Sequence, residues 1–330
     1  MARSFATACA ARAPFTTALA ALVSLATATA GCLPGDDRPE PGSLLLNVHR
    51  SHAAAEGFET DDGWRLSFTR FATALGGLRL GGRGRRGGPG GAADDDCVDY
   101  SFSTYDRLYD FAVAGTSKLV LHYGLGHCSV PFSMGQPSPR AILMAGVTQA
   151  DLELMGPGES GMFEENLESG IALLVMGRAE KDGVTKRFAW RLTTSYVIGE
   201  CHAPTGDEVI NSVELRGGEA LVRELEIRPK ELFRLTPSLE APIEFTRFAQ
   251  ADVDDDGAVT LEELAMVDLP FEDIIEDLRD ELPKELQDEL SAQFFDEATL
   301  LTLVRDILAQ RVAAYEGAGE CVIGADYSKD

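Results

Sequence analysis

Residues 252–263 read Asp-Val-Asp-Asp-Asp-Gly-Ala-Val-Thr-Leu-Glu-Glu. Carboxylates stand at alternate positions, Asp252, Asp254 and Asp256. Gly257 follows them, and Glu263 closes the stretch. A hard dication such as Ca2+ takes six to eight oxygens at about 2.3–2.6 Å. A loop that curls at the glycine would converge the alternate carboxylates on one point, and a late glutamate on the following helix would complete the shell. Asp252, Asp254, Asp256 and Glu263 bring negative charge that is self-repelling alone and locks around a cation. Asp255 and Glu262 add to that charge.

The stretch resembles the loop of an EF-hand, and the resemblance covers residues 243–269. It implies side-chain ligands from Asp252, Asp254 and Asp256, a sharp turn at Gly257 and a backbone carbonyl ligand from Ala258. It also implies that Val259 packs inward and pairs with a partner loop, that Thr260 acts through a water, and that Glu263 gives both carboxylate oxygens. The chain holds one such loop, and Pro270 stops the exit helix early. A lone loop outside the cytosol reads as a weak or structural Ca2+ site, and extracellular modules of this kind bind at roughly 10⁻⁴–10⁻³ M.

The elements that must position this loop are of two kinds. From Ser43 to about Arg234, apolar residues alternate in short runs punctuated by Gly, Asp, Asn and Pro. Residues 63–68 put Trp64, Leu66 and Phe68 on one face, and 118–123 is a further strand. Residues 171–177 and 184–192 flank Lys181-Asp182-Gly183, whose Asp-Gly suits a tight hairpin, with Phe188, Trp190 and Leu192 on one face. Residues 211–216 and 219–228 flank Gly217-Gly218, which reads as a second hairpin. Beyond the loop, Phe271, Ile274, Ile275, Leu278, Leu282, Leu286, Leu290 and Phe294 fall at helical spacing, with Pro283 dividing the run. A last helix is expected from an N-cap at Asp296 to about Tyr315.

The predicted fold class is therefore α+β: an antiparallel β-sandwich or barrel-like domain over 43–239, then a small acidic helical region over 240–330 that carries the loop. Within the first, residues 76–91 hold nine glycines and four arginines, and Asp94–Asp96 follow. Backbone entropy at that glycine density predicts a disordered loop over 76–96.

The N-terminus reads as an address. Residues 1–31 carry Arg3 and Arg12, no acid, and an Ala/Leu/Val/Ser/Thr-rich run, the pattern of a secretory signal. Thr29-Ala30-Gly31-Cys32 resembles a bacterial lipoprotein lipobox, which implies diacylglycerol on Cys32, and Leu33 after it suggests sorting to the outer membrane. Ala28-x-Ala30 suits an ordinary signal peptidase cutting before Gly31. Cysteine parity favours lipidation: of six cysteines, Cys9 leaves with the signal, and lipidation of Cys32 leaves the even set Cys97, Cys128, Cys201 and Cys321. Three disulfide pairings are open to that set. Cys97–Cys128 would staple the β-domain, and Cys201–Cys321 would then tie the chain end back to it. Residues 32–42, rich in Pro, Gly and charge, read as a tether.

Composition bounds the rest. With 330 residues, 45% hydrophobic residues and a formal charge of −25, the chain can bury a core and repels nucleic acid. Residues 240–330 alone hold 25 acidic and 6 basic residues, so the acidity is concentrated around the loop. Neither a G-x-S-x-G elbow nor an H-E-x-x-H helix is present, and the chain is read as non-enzymatic ahead of a secreted hydrolase. The alternative function is a β-domain that binds a transition metal or glycan at the cell surface. His127-Cys128 and Cys201-His202, with His49, His52 and His122, are its candidate ligands. The protein or glycan partner is left open.

Overall fold

A computed structural model describes residues 40–82, 97–101, 106–113, 115–156, 170–205, 208–236, 238–269, 299–319 and 321–324. In it the alternating segments have become strands. The first are β1 (Gly42–Arg50), β2 (Phe58–Glu59), β3 (Arg65–Gly76), β4 (Gly81–Gly82), β5 (Val98–Asp99) and β6 (Arg107–Asp110). Next come β7 (Ser117–Ser129), β8 (Phe132–Gly135), β9 (Ile142–Leu143), β10 (Leu173–Lys181), β11 (Val184–Leu192) and β12 (Tyr196–Cys201). The last are β13 (Ser212–Leu215), β14 (Ala220–Ile227), β15 (Ala258–Val259), β16 (Ala313–Tyr315) and β17 (Cys321–Gly324). Among the described residues the α-helices are short: α1 (His52–Glu56), α2 (Gln149–Met155), α3 (Thr246–Gln250), α4 (Leu261–Leu264) and α5 (Leu300–Thr302). No helix among the described residues is long and apolar enough to cross a membrane.

The strands form two sheets, one ordered β13-β7-β1-β14-β16 and the other β15-β11-β10-β3-β8-β12-β17, giving a β-sandwich-like α+β fold. The best local signal in the sequence, Asp182-Gly183, makes a tight turn with φ of 52° and 80°, and β10 and β11 pair in register from Lys181↔Val184 to Leu173↔Leu192. Along β11 burial alternates, so that Lys186, Phe188, Trp190 and Leu192 point inward while Thr185, Arg187, Ala189 and Arg191 are exposed.

Two expectations are corrected. Residues 211–216 and 219–228 are not a hairpin. β13 pairs with β7, while β14 runs parallel to β1, and both travel in the same direction. The start of β1 occupies the edge of β7 just past β13: a Cβ on Gly42 would lie 2.5 Å from the Arg216 carbonyl oxygen. The chain therefore sidesteps at Gly217-Gly218 by one strand position, and Gly218 takes φ +72° to do so. The last helix also differs. Its cap is Thr299, which accepts from the Thr302 N–H at 3.3 Å, and helical structure ends at Arg311. Ala313–Tyr315 instead extend the first sheet against β14, where the Tyr315 hydroxyl donates to the Val130 carbonyl at 2.6 Å.

The core is continuous across residue 240. Phe188 and Trp190 of β11 and Phe233 meet Phe245 and Phe248, which flank and line α3, with ring centroids 5.1–6.0 Å apart. Such aromatic pairs add about 0.5–1.5 kcal/mol each beyond burial. The expected signal peptide, Cys32, most of the tether, residues 83–96 of the Gly/Arg segment and the helix over 271–295 lie outside the described residues. Of the Gly/Arg segment, Leu78 and Leu80 are buried and Gly81-Gly82 pair with β7.

Candidate metal centre

The loop is built outward from α3. The turn before β3 supplies the cap: the Asp62 carboxylate accepts from the N–H groups of Phe245 at 3.1 Å and Thr246 at 2.8 Å. Burial pushes the Asp62 carboxyl up, but bonds from Thr246, Thr60 and the two backbone amides outweigh it and hold it below its ordinary value. Asp61 accepts from the Ile243 N–H at 2.8 Å, and Trp64 Nε1 donates to Thr246 Oγ1 at 3.2 Å. The helix that leads into the loop is thus fixed to the β-sheet by its first amides.

At the end of α3 the chain curls. Asp252 Oδ2 accepts from the Gly257 N–H at 2.9 Å and its Oδ1 from the Asp256 N–H at 3.1 Å. The Asp256 N–H also reaches Asp254 Oδ1 at 3.2 Å, and Asp256 Oδ1 accepts from Ala258 N–H at 2.6 Å. Asp255 and Gly257 take φ of +57° and +81°, which turns the backbone inside its own carboxylates. The result is a group in which one oxygen from each of Asp252, Asp254 and Asp256 lies within 4.8 Å of the others.

The exit is equally defined. Thr260 caps α4 with a capping box: its Oγ1 accepts from the Glu263 N–H at 3.2 Å, and Glu263 Oε2 accepts from the Thr260 N–H at 2.9 Å. Glu263 Oε1 accepts from the Val253 N–H at 3.2 Å, so the late glutamate clasps the start of the loop. The structure therefore brings Asp252, Asp254 and Asp256 together, with Glu263 beside them but outside the three-carboxylate group. The Thr260 hydroxyl is bonded to Glu263 at 2.9 Å.

The resemblance implies that Val259 pairs with a partner loop. It pairs instead with the sheet. β15 lies parallel to β11 with Arg187↔Ala258 and Phe188↔Val259 in register. The Arg187 N–H donates to the Gly257 carbonyl at 2.8 Å, and Trp190 Nε1 donates to the Val259 carbonyl at 2.9 Å. Carbonyls alternate along a strand, so the Ala258 carbonyl between these two faces away from β11.

One residue of this centre is absent from the sequence-level ligand set. Lys186, inward-facing on β11, has its Nζ 2.5 Å from Asp252 Oδ2 and 3.4 Å from Asp255 Oδ1. The Asp252 side chain is fully buried and that of Lys186 is 11% exposed. The hydrogen bond from Lys186 holds the Asp252 carboxyl below its ordinary value, and the same bond holds the Lys186 ammonium above its own. The signal was present in the sequence, as a lysine in phase with Phe188, Trp190 and Leu192 on an apolar face. The donor set, carboxylates only, suits a hard cation, and the lysine ammonium shows that the loop accepts positive charge.

The other candidates separate. Cys97 is bonded to Cys128 and Cys201 to Cys321, so none of the four is a thiolate ligand. Among the described residues, the three loop aspartates are the group of His, Cys, Asp and Glu that could hold a metal ion. His122 is buried, with Ser101 Oγ at 3.1 Å and Asp99 Oδ1 at 4.0 Å. Both approach the same ring nitrogen, Nδ1, whereas a hydrolytic relay needs them on opposite nitrogens. No family model, curated protein or solved structure matches the chain.

Proposed function

We propose that this chain is a non-enzymatic, calcium-binding lipoprotein of the cell envelope, whose EF-hand-like loop is a structural Ca2+ site. The observation that carries the reading is the convergence of Asp252, Asp254 and Asp256 within 4.8 Å on a loop whose turn is held at Gly257. Those three carboxylates, with the Ala258 carbonyl, Thr260 and Glu263, would hold the ion. Bound Ca2+ would supply an electrostatic cross-link across the loop. The chain's own part is to tie α3 to the turn at Asp62, β15 to β11 and Glu263 to Val253, so that a cation gripped by the loop stiffens the junction between the acidic region and the sheet. Attachment through a lipid on Cys32 to the outer membrane belongs to the same reading. It is supported by the two disulfides, which use every cysteine after Cys32 and suit an oxidising compartment.

Calorimetric titration of the purified chain tests the calcium assignment. Heat with a dissociation constant of roughly 10⁻⁴–10⁻³ M is expected, and it is lost in Asp252→Ala. No heat in that range, or the same heat in Asp252→Ala, rejects it. Fractionation of cells expressing Cys32→Ser tests the anchor: the variant should leave the membrane fraction.

A further inference from the structure

We propose that Lys186 is a tethered competitor of the dication, a cation of the protein's own that neutralises Asp252 when calcium is scarce and is displaced when calcium binds. The inference rests on the calcium reading of the loop and adds its regulation. Three observations carry it. The Lys186 Nζ is bonded to Asp252 Oδ2, an oxygen of the first loop carboxylate, at 2.5 Å. Its second partner is Asp255 at 3.4 Å, so the groups that face the ammonium are acids of this one loop. Its strand cannot drift from the loop, because Arg187, the next residue, holds Gly257 through its N–H at 2.8 Å.

An ion that takes Asp252 Oδ2, the oxygen that Lys186 holds, at about 2.3–2.6 Å would sit within about 5 Å of an ammonium left in its present position. Two like-signed cations that close repel one another. The lysine has a flexible four-carbon stem and can carry its charge outward, toward Asp255, whose side chain is 94% exposed. The affinity of the loop is then set by a contest between two cations, one of them at a fixed effective concentration. Calcium signals its arrival by releasing a lysine.

Two measurements on the purified chain test this. In calorimetry, Lys186→Met and Lys186→Gln should bind Ca2+ about tenfold more tightly than wild type, within the usual span of coupled sites. In amine-acylation footprinting read by mass spectrometry, Lys186 of the wild-type chain should be protected in chelator. Saturating Ca2+ should make it severalfold more reactive, with the exposed Lys118 as internal reference. The footprint uses the unaltered chain, so it decides the matter even where both variants fold poorly. If wild type binds calcium but Lys186 stays equally protected, or the folded variants bind no tighter, the competitor is overturned and the calcium site stands. If no form binds calcium, both fall.

Discussion

Asp252→Ala in calcium-free buffer isolates what the loop does with its own lysine. The wild-type carboxylate is fully buried and accepts from Lys186 and from the amides of Asp256 and Gly257. Removing one partner of a buried ion pair costs about 3–5 kcal/mol, mostly through the charge left behind. Asp255 remains at 3.4 Å from the ammonium and compensates part of that loss, so the expected figure is about 3 kcal/mol, the low end of that range. At about 2.1 cal/mol/K per residue over the roughly 290 residues after the tether, each kcal/mol moves the Tm by about 1.6 °C, so the Tm falls by about 5 °C. Adding Lys186→Met removes the stranded charge and leaves an apolar chain beside Phe188. The double variant should recover about 2 kcal/mol over Asp252→Ala. Urea unfolding in chelator reads both steps, with the dependence on denaturant unchanged if only stability has moved. If the double variant is no more stable than Asp252→Ala, the stranded-charge reasoning is wrong. Asp252→Ala as stable as wild type would show that the pair does not bear on folding.

Three further outcomes follow from the geometry. Gly257→Ala should lower stability by about 1–2 kcal/mol, through the backbone alone, because its Cβ would meet nothing nearer than the Thr185 carbonyl at 3.6 Å; Gly257→Asn should lose less, and thermal melts compare them. Removing Cys201–Cys321 should cost more than removing Cys97–Cys128, about 4.9 against about 3.7 kcal/mol on loop-entropy grounds, since the bridges span 120 and 31 residues; paired Cys→Ala variants in denaturant titration test the order. Asp62 has a folded pKa below its unfolded one, so its contribution is present above the unfolded value and is lost as pH falls through the folded value. Asp62→Asn should therefore be less stable than wild type near neutral pH, with the gap closing as pH drops well below about 3.9; a gap that persists in acid would refute the cap.

Much of this was legible in the sequence because its causes are local. Asp182-Gly183 demands positive φ at both positions, and the turn forms there. The spacing of Asp252, Asp254, Asp256 and Gly257 fixes the curl through bonds that span at most five residues. The sidestep at Gly217-Gly218 was not legible, because Gly-Gly punctuates a hairpin and a strand offset alike; only the distant Gly42, abutting Arg216, decides between them. Tyr315 reads as helical by its neighbours and becomes a strand because β14 offers an open edge. The partner of Val259 was out of reach for the same reason: nothing in residues 252–263 says that β11 lies alongside. Lys186 is a clue of the legible kind. A charge at an inward position of an alternating strand must meet its counter-charge somewhere, and the chain is most acidic in the region that follows.

The sheet edge alters what calcium can do. In the pairing that the resemblance to an EF-hand implies, a second loop would flank Val259. Here β11 supplies the backbone pairing, Trp190 a bond to the Val259 carbonyl, and Lys186 a positive charge. On the calcium reading the ion would add its linkage energy, about 1.4 kcal/mol at ten times its dissociation constant, which is less than the cost of stranding Lys186 by removing Asp252. Chelation should accordingly lower the Tm by about 2 °C and leave the fold intact. Unfolding on chelation would mean that the ion, and not the sheet, sets the loop. No shift at all would mean that calcium has no structural role here even where it binds.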